Sequence, residues 1–128
     1  MLIRFKNNQE KIAMGLLSFM PNERDVKNLQ ETMKAYTNDE NCHLYLLKEA
    51  NDFIGAIGVK VTDDMIATIE HISVNPSFRN KGYARKMIKQ ICLMYKKDYK
   101  ICSNEYTDEL INKCVDDDYL DKLIETRP

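Results

Sequence analysis

One stretch, Ile72-Ser73-Val74-Asn75-Pro76-Ser77-Phe78-Arg79-Asn80-Lys81-Gly82-Tyr83-Ala84, combines the residue types needed to hold an anion against backbone. A strand-forming run ends at Val74, a loop over Asn75–Lys81 turns tightly, and a helical pattern opens at Gly82. The first turn of such a helix leaves backbone N–H groups without partners, and its dipole adds partial positive charge. A terminus of this kind binds phosphate. Gly82 has no side chain to hold a pyrophosphate off, and Ala84 keeps the next turn small. Between Arg79 and Lys100 stand eight basic residues, Arg79, Lys81 and Arg85 nearest the turn, against one acid, Asp98. That is +7 within a chain of net charge −1. A polyanionic ligand is steered to this segment. Read alone, R-x-x-G-x-A describes an ordinary surface helix behind a loop; the strand before it and the helix phase after it favour ligand binding.

The elements that position this stretch are legible as patterns. Leu2–Phe5 alternates as a first strand. Ile12, Ala13, Leu16, Leu17 and Met20 recur at helical spacing until Pro21 closes the helix. Asn22 can cap a second helix, with Asp25 in its first turn and Val26, Leu29, Met33 and Tyr36 in one stripe. His43–Lys48, Phe53–Val61 and Met65–Val74 read as three strands joined by short turns. The helix after Gly82 presents Ala84, Met87, Ile88, Ile91 and Met94 or Tyr95 on one face. Tyr99–Ser103 is a short strand, Thr107–Val115 a helix and Asp118–Glu125 an acidic amphipathic tail. The order β-αα-βββ-α-β-α predicts an α+β sandwich, a mixed sheet with helices on both faces. No linker or repeat divides the chain, so residues 1–128 are expected to form one domain.

Composition narrows the class. At 128 residues, 44% hydrophobic and 30% charged, the chain can bury its own core. Cys42, Cys92, Cys102 and Cys114 show no C-x-x-C spacing, and only His43 and His71 could join them. Reduced core thiols are expected, with no metal site. No signal peptide and no membrane-length apolar run is present, which predicts a cytoplasmic protein without membrane partners. The basic residues are mostly lysines on one helix beside an acidic tail, a poor match to a nucleic-acid surface.

Val74-x-Pro76-x-x-Arg79-x-x-Gly82-x-Ala84 resembles the acyl-CoA-binding motif of the GNAT N-acetyltransferases, V-x-P-x-x-[RQ]-x-x-G-x-[GA]. The element order is similar from Leu2 to about Cys114. Lys11–Glu23, Gly55–Val59 and His71–Ser77 further resemble the RibT-type branch encoded in riboflavin operons of Gram-positive bacteria. The family resemblance implies a GNAT-like, mainly antiparallel sheet, acetyl-CoA as cosubstrate and an amine as acceptor. It implies that Ile72, Ser73 and Val74 pair with the pantetheine arm. It further implies that Arg79, Asn80, Lys81, Gly82, Tyr83, Ala84 and Arg85 hold the pyrophosphate. Asn104, after the next strand, stands where the family often has an asparagine reaching the cofactor arm. The family's usual last two strands have no clear counterpart after Cys114, and self-association into a homodimer is left open.

Acetyl transfer needs a neutral amine, hence a base. Strict alternation puts Ile66, Thr68, Glu70, Ile72 and Val74 on one face and Ala67, Ile69, His71 and Ser73 on the other. Glu70 is the only charge on its face and matches the position of family bases, so it is the catalytic candidate. The bland alternative is a strand-end carboxylate paired with a lysine. His71 falls on the opposite face and reads as structural, unless a β-bulge exchanges the two. Many relatives place a proton-donating tyrosine seven residues after the asparagine; here that position is Ile111. Two functions therefore stay open: an N-acetyltransferase, and a GNAT-like module that holds acyl-CoA without turnover.

Overall fold

The computed structural model describes residues 1–114 and 124–125. Six strands, β1 (Leu2–Arg4), β2 (Cys42–Glu49), β3 (Asp52–Val61), β4 (Ile66–Val74), β5 (Lys100–Ser103) and β6 (Ile124–Glu125), form one sheet in sequence order. Pairings from β1 to β4 are antiparallel, and β5 joins β4 in parallel. The parallel step follows from the crossover helix α3 (Tyr83–Tyr95), which carries the chain back across the sheet. Helices α1 (Glu10–Leu17) and α2 (Val26–Asn38) cover the opposite face.

Alternation along β2 explains the two cores. Tyr45 and Leu47 pack toward α3 with Ile57, Val59, Met87, Ile88 and Ile91. Leu44 and Leu46 pack toward α1 and α2 with Leu16, Leu17, Leu29 and Met33. Buried side chains of this size contribute about 2 kcal/mol each. In α3 the fifth buried position is Tyr95; Met94 is half exposed. The thiols of Cys42 and Cys92 lie buried, and burial pushes Cys92 up to about 11, so it stays a protonated core residue at neutral pH.

Three expectations are corrected. Asn22 does not cap α2: Pro21 opens a 3-10 turn over Pro21–Glu23, and Asp25 caps instead, accepting from the Lys27 amide at 3.1 Å. Helix α4 is described over Asp108–Cys114 and starts one residue later than its pattern suggested; Val115, the expected last residue, lies outside the described residues. The sheet does not end at β5, because Ile124–Glu125 adds β6 in parallel to it. Of the acidic tail, 118–123 lies outside the described residues. No helix among those described is long and apolar enough to cross a membrane.

Candidate active site

Strand β4 carries the site, and its side chains do not alternate throughout. Gly58 of β3 pairs with His71, but the next pair is Val59 with Ile69, so Glu70 is one residue more than β3 can match. This bulge shifts the parity. Ala67 and Ile69 before it, and Ile72 and Val74 after it, all enter the α3-side core. Glu70 therefore does not share a face with Ile72 and Val74. It opens instead beside His71 into one chamber on the α2 side. Ser73 also turns to the α1 side, where its hydroxyl donates to the Leu16 carbonyl at 2.6 Å.

Beyond the bulge, β4 and β5 separate. Their pairing ends at Ile69 with Ser103, while β4 runs on to Val74. The Thr107 hydroxyl donates to the Ile69 carbonyl at 2.9 Å, closing the fork at its base. Asn104 is fixed here too. Its Oδ1 accepts from the amides of Tyr106 and Thr107 at 2.8 and 3.0 Å, and its Nδ2 donates to Glu70 Oε2 at 2.6 Å. Both ends of the amide are thus engaged between β4 and α4. Asn104 is not among the residues that line the motif's cleft.

The cleft itself, about 530 Å³, lies where β4 has lost β5 as neighbour. Ile72, Ser73 and Val74 form its floor, with Arg79, Asn80 and Gly82 at the mouth. Tyr83, Ala84 and Arg85 from the first turn of α3 complete that side; Lys81 stays outside, its ammonium 5.7 Å over the Phe78 ring. Asn75 shapes the entry by accepting from the Ser77 amide at 3.0 Å. Arg79 is tied back through Nε to the Val74 carbonyl at 3.2 Å and lies 6.0 Å over Phe19. Arg85 donates to the Cys114 carbonyl at 3.3 Å, joining α3 to α4. Among the other walls, Phe19, Met20, Tyr106, Leu110, Glu109 and Lys113 are not singled out as site residues by the sequence; Lys113 pairs with Glu109 at 3.6 Å.

Gly82 is the N-cap of α3 with φ 81°, and as a glycine it supplies no side-chain cap. A left-handed cap costs a residue with Cβ about 1–2 kcal/mol. A Cβ there would meet nothing within 4 Å, so the open space lies in front of the helix's first amides. A glycine-capped N-terminus, an empty approach and Arg79, Arg85 and Lys113 around it fit a polyphosphate.

The chamber beside the cleft, about 340 Å³, is lined by two carboxylates, Glu23 and Glu70, with Lys60 and His71. Glu23 is 2% exposed, and its Oε2 accepts from His71 Nε2 and from the Thr32 hydroxyl, both at 2.6 Å. Asn28 donates to Oε1 at 2.9 Å. Burial opposes ionisation of Glu23, but the hydrogen bonds from His71, Thr32 and Asn28 outweigh it and hold its pKa below the ordinary carboxylate value. His71 Nδ1 lies 2.5 Å from the Tyr36 hydroxyl. On the other flank of Glu70 a wider cavity of about 700 Å³ is lined by Asp64 and Glu105 and, among the described residues, by no basic one. Tyr106, half exposed, borders the cleft and both cavities. Ile111 is 2% exposed in the α3-side core and offers the site nothing. Because Glu23 satisfies three donors, Glu23→Ala should lower stability by about 3 kcal/mol, a fall of about 10 °C in the melting temperature of the unliganded protein.

The family model described as Acetyltransferase (GNAT) family matches residues 10–112. The chain is a GNAT-family acetyltransferase. An uncharacterized N-acetyltransferase of Bacillus methanolicus, named for its place in the lysA 3′ region, is 52% identical over 114 residues, 89% of this chain and 94% of that one. An Elizabethkingia anophelis GNAT acetyltransferase with acetyl-CoA bound shares the fold, with a TM-score of 0.68 at 23% identity, over 88% of this chain and 71% of that one. A spermidine N-acetyltransferase of Vibrio cholerae, in complex with CoA and spermine, does so at 0.67 and 16%, over 90% and 79%. The GNAT domain takes acetyl-CoA as cosubstrate, and the fork between β4 and β5 together with the glycine-capped α3 terminus suits it.

Proposed function

We propose that this GNAT domain transfers the acetyl group of acetyl-CoA to the amine of a cationic small molecule, with Glu70 as the base. One observation carries the reading: a cleft lined by Arg79, Arg85 and Lys113 against a single described acid, Glu109, adjoins, along β4, chambers lined by Glu23, Glu70, Asp64 and Glu105 against a single described lysine, Lys60. Opposite charges are thus drawn to neighbouring sites. The α3 terminus and its cations hold the pyrophosphate, while the unpaired edge of Ile72–Val74 offers backbone groups to the pantetheine arm. Acetyl-CoA supplies an activated thioester carbonyl. Glu70 takes a proton from the ammonium, and Asn104 at 2.6 Å fixes which carboxylate oxygen remains free to do so. The resemblance to the RibT-type branch narrows the acceptors to test first to amine-bearing intermediates of riboflavin biosynthesis.

A second reading, a module that holds acyl-CoA without turnover, is supported by one feature: the core position of Ile111. Release of free CoA from acetyl-CoA with a panel of amines separates the two, since only an enzyme shows amine-dependent release. Both require the cofactor. Free CoA at about one hundred times its dissociation constant should stabilise the fold by about 2.7 kcal/mol, or about 10 °C. A flat thermal-shift titration to millimolar CoA would remove both.

A further inference from the structure

The buried chain Tyr36–His71–Glu23 has no part in the transfer described so far. Its construction is specific. The bulge at Glu70 brings His71 into the same chamber as Glu70. Directly across the sheet stands Gly58, where an added Cβ would lie 1.9 Å from the Tyr36 hydroxyl oxygen. Only glycine there lets that hydroxyl reach the strand pair and meet His71 Nδ1 at 2.5 Å. At the far end, Glu23 is anchored by Thr32 and Asn28.

The hydrogen-bond directions are determined by Glu23. As a carboxylate it only accepts, so a neutral His71 carries its proton on Nε2 and Nδ1 accepts from the Tyr36 O–H. Burial, followed by the charges of Glu70, Cys42 and Glu23, raises the Tyr36 pKa well above its ordinary value, so Tyr36 stays protonated. Its oxygen keeps a lone pair for a further donor.

An alkylammonium must lose two protons to become an amide, and Glu70 can hold one. We propose that Tyr36 accepts the second proton while passing its own to His71, with Glu23 holding the imidazolium that results. This rests on the transferase reading given above. The amine nitrogen bonds to the acetyl carbon and the C–S bond breaks, its electron pair leaving on sulfur. The N–H bond breaks toward Tyr36 Oη, and the old O–H bond breaks toward His71 Nδ1. The imidazolium later returns its proton, through solvent, to the thiolate, restoring His71 and giving the free thiol. Tyr36 is the catalytic residue; His71 and Glu23 position it and store the charge.

Two probe amines distinguish the roles: 1,3-diaminopropane, an ammonium at neutral pH, and methoxyamine, neutral there. Tyr36→Phe should lower kcat about 10²-fold with both, leaving the amine KM and CoA binding unchanged. Glu70→Gln should be slow with the diamine and recover to within a few-fold of the wild type with methoxyamine, which has no first proton to lose. Recovery of Tyr36→Phe with methoxyamine, or a loss confined to KM, overturns the relay. Failure of Glu70→Gln to recover, with Tyr36→Phe still slow, overturns Glu70 as base and keeps the relay. No turnover of either amine by the wild type counts against the transferase reading itself. The imidazole ¹⁵N spectrum of the wild-type protein tests the relay without turnover and without a variant that must fold. It should show the Nε2–H form with a hydrogen-bonded Nδ1; the opposite tautomer overturns the relay.

Discussion

Gly82→Glu should remove CoA binding, weakening it by at least about 10²-fold, while the protein remains folded. The position combines a left-handed backbone with empty space in front of the first amides of α3. Any side chain costs about 1–2 kcal/mol in backbone strain, so the variant should melt about 4–7 °C lower. It should still fold, because the new atoms meet no protein neighbour within 4 Å at Cβ. The loss of binding has a separate origin. A carboxylate on that cap faces the N-terminal dipole and occupies the anion site from within. It also lies close to where the pyrophosphate must sit, and two like charges about 4 Å apart at a protein surface repel by about 4 kcal/mol. Gly82→Ala separates the two effects, since it carries the same strain without charge and should weaken CoA far less. Calorimetric titration of both variants decides the matter. Wild-type affinity in a folded Gly82→Glu protein would place the phosphates elsewhere.

That glycine was legible in the sequence because local chemistry determines it. A strand end, a loop and a helix opening at Gly82 need no distant contact to be recognised, and the +7 charge of Arg79–Lys100 is a count. The same holds for α3, whose apolar stripe becomes its buried face. What could not be read was the registry between strands. Alternation along β4 is a sound rule until one strand gains a residue over its partner, and the bulge depends on how β3 pairs. Its consequence is large for the site, because His71 moves to the side of Glu70. Asn104 follows β5 as expected, but its hydrogen bonds to Glu70, Tyr106 and Thr107 could not be read from sequence, because those partners meet only in the folded chain. Glu23 and Tyr36 carried one faint signal, a glycine at position 58 inside a strand.

Glu70→Gln should lower the acetylation rate of a basic amine by roughly 10²–10⁴-fold, the usual worth of a positioned base. CoA affinity should hardly change, since Glu70 borders the acidic chambers and is absent from the cleft that holds the α3 terminus. Glutamine preserves the shape and can still accept from Asn104 Nδ2, so the fork between β4 and α4 stays closed. What it cannot do is take a proton. The deficit should therefore shrink as pH rises, because a growing fraction of the amine arrives already neutral and needs no base. A structural role gives the other pattern, a loss that persists at high pH and accompanies a lower melting temperature. The neighbouring variant His71→Ala adds the last discrimination. Bulge geometry places both side chains in one chamber, so loss of turnover in His71→Ala alone, with Glu70→Gln unimpaired, would move the first proton transfer from the carboxylate to the imidazole.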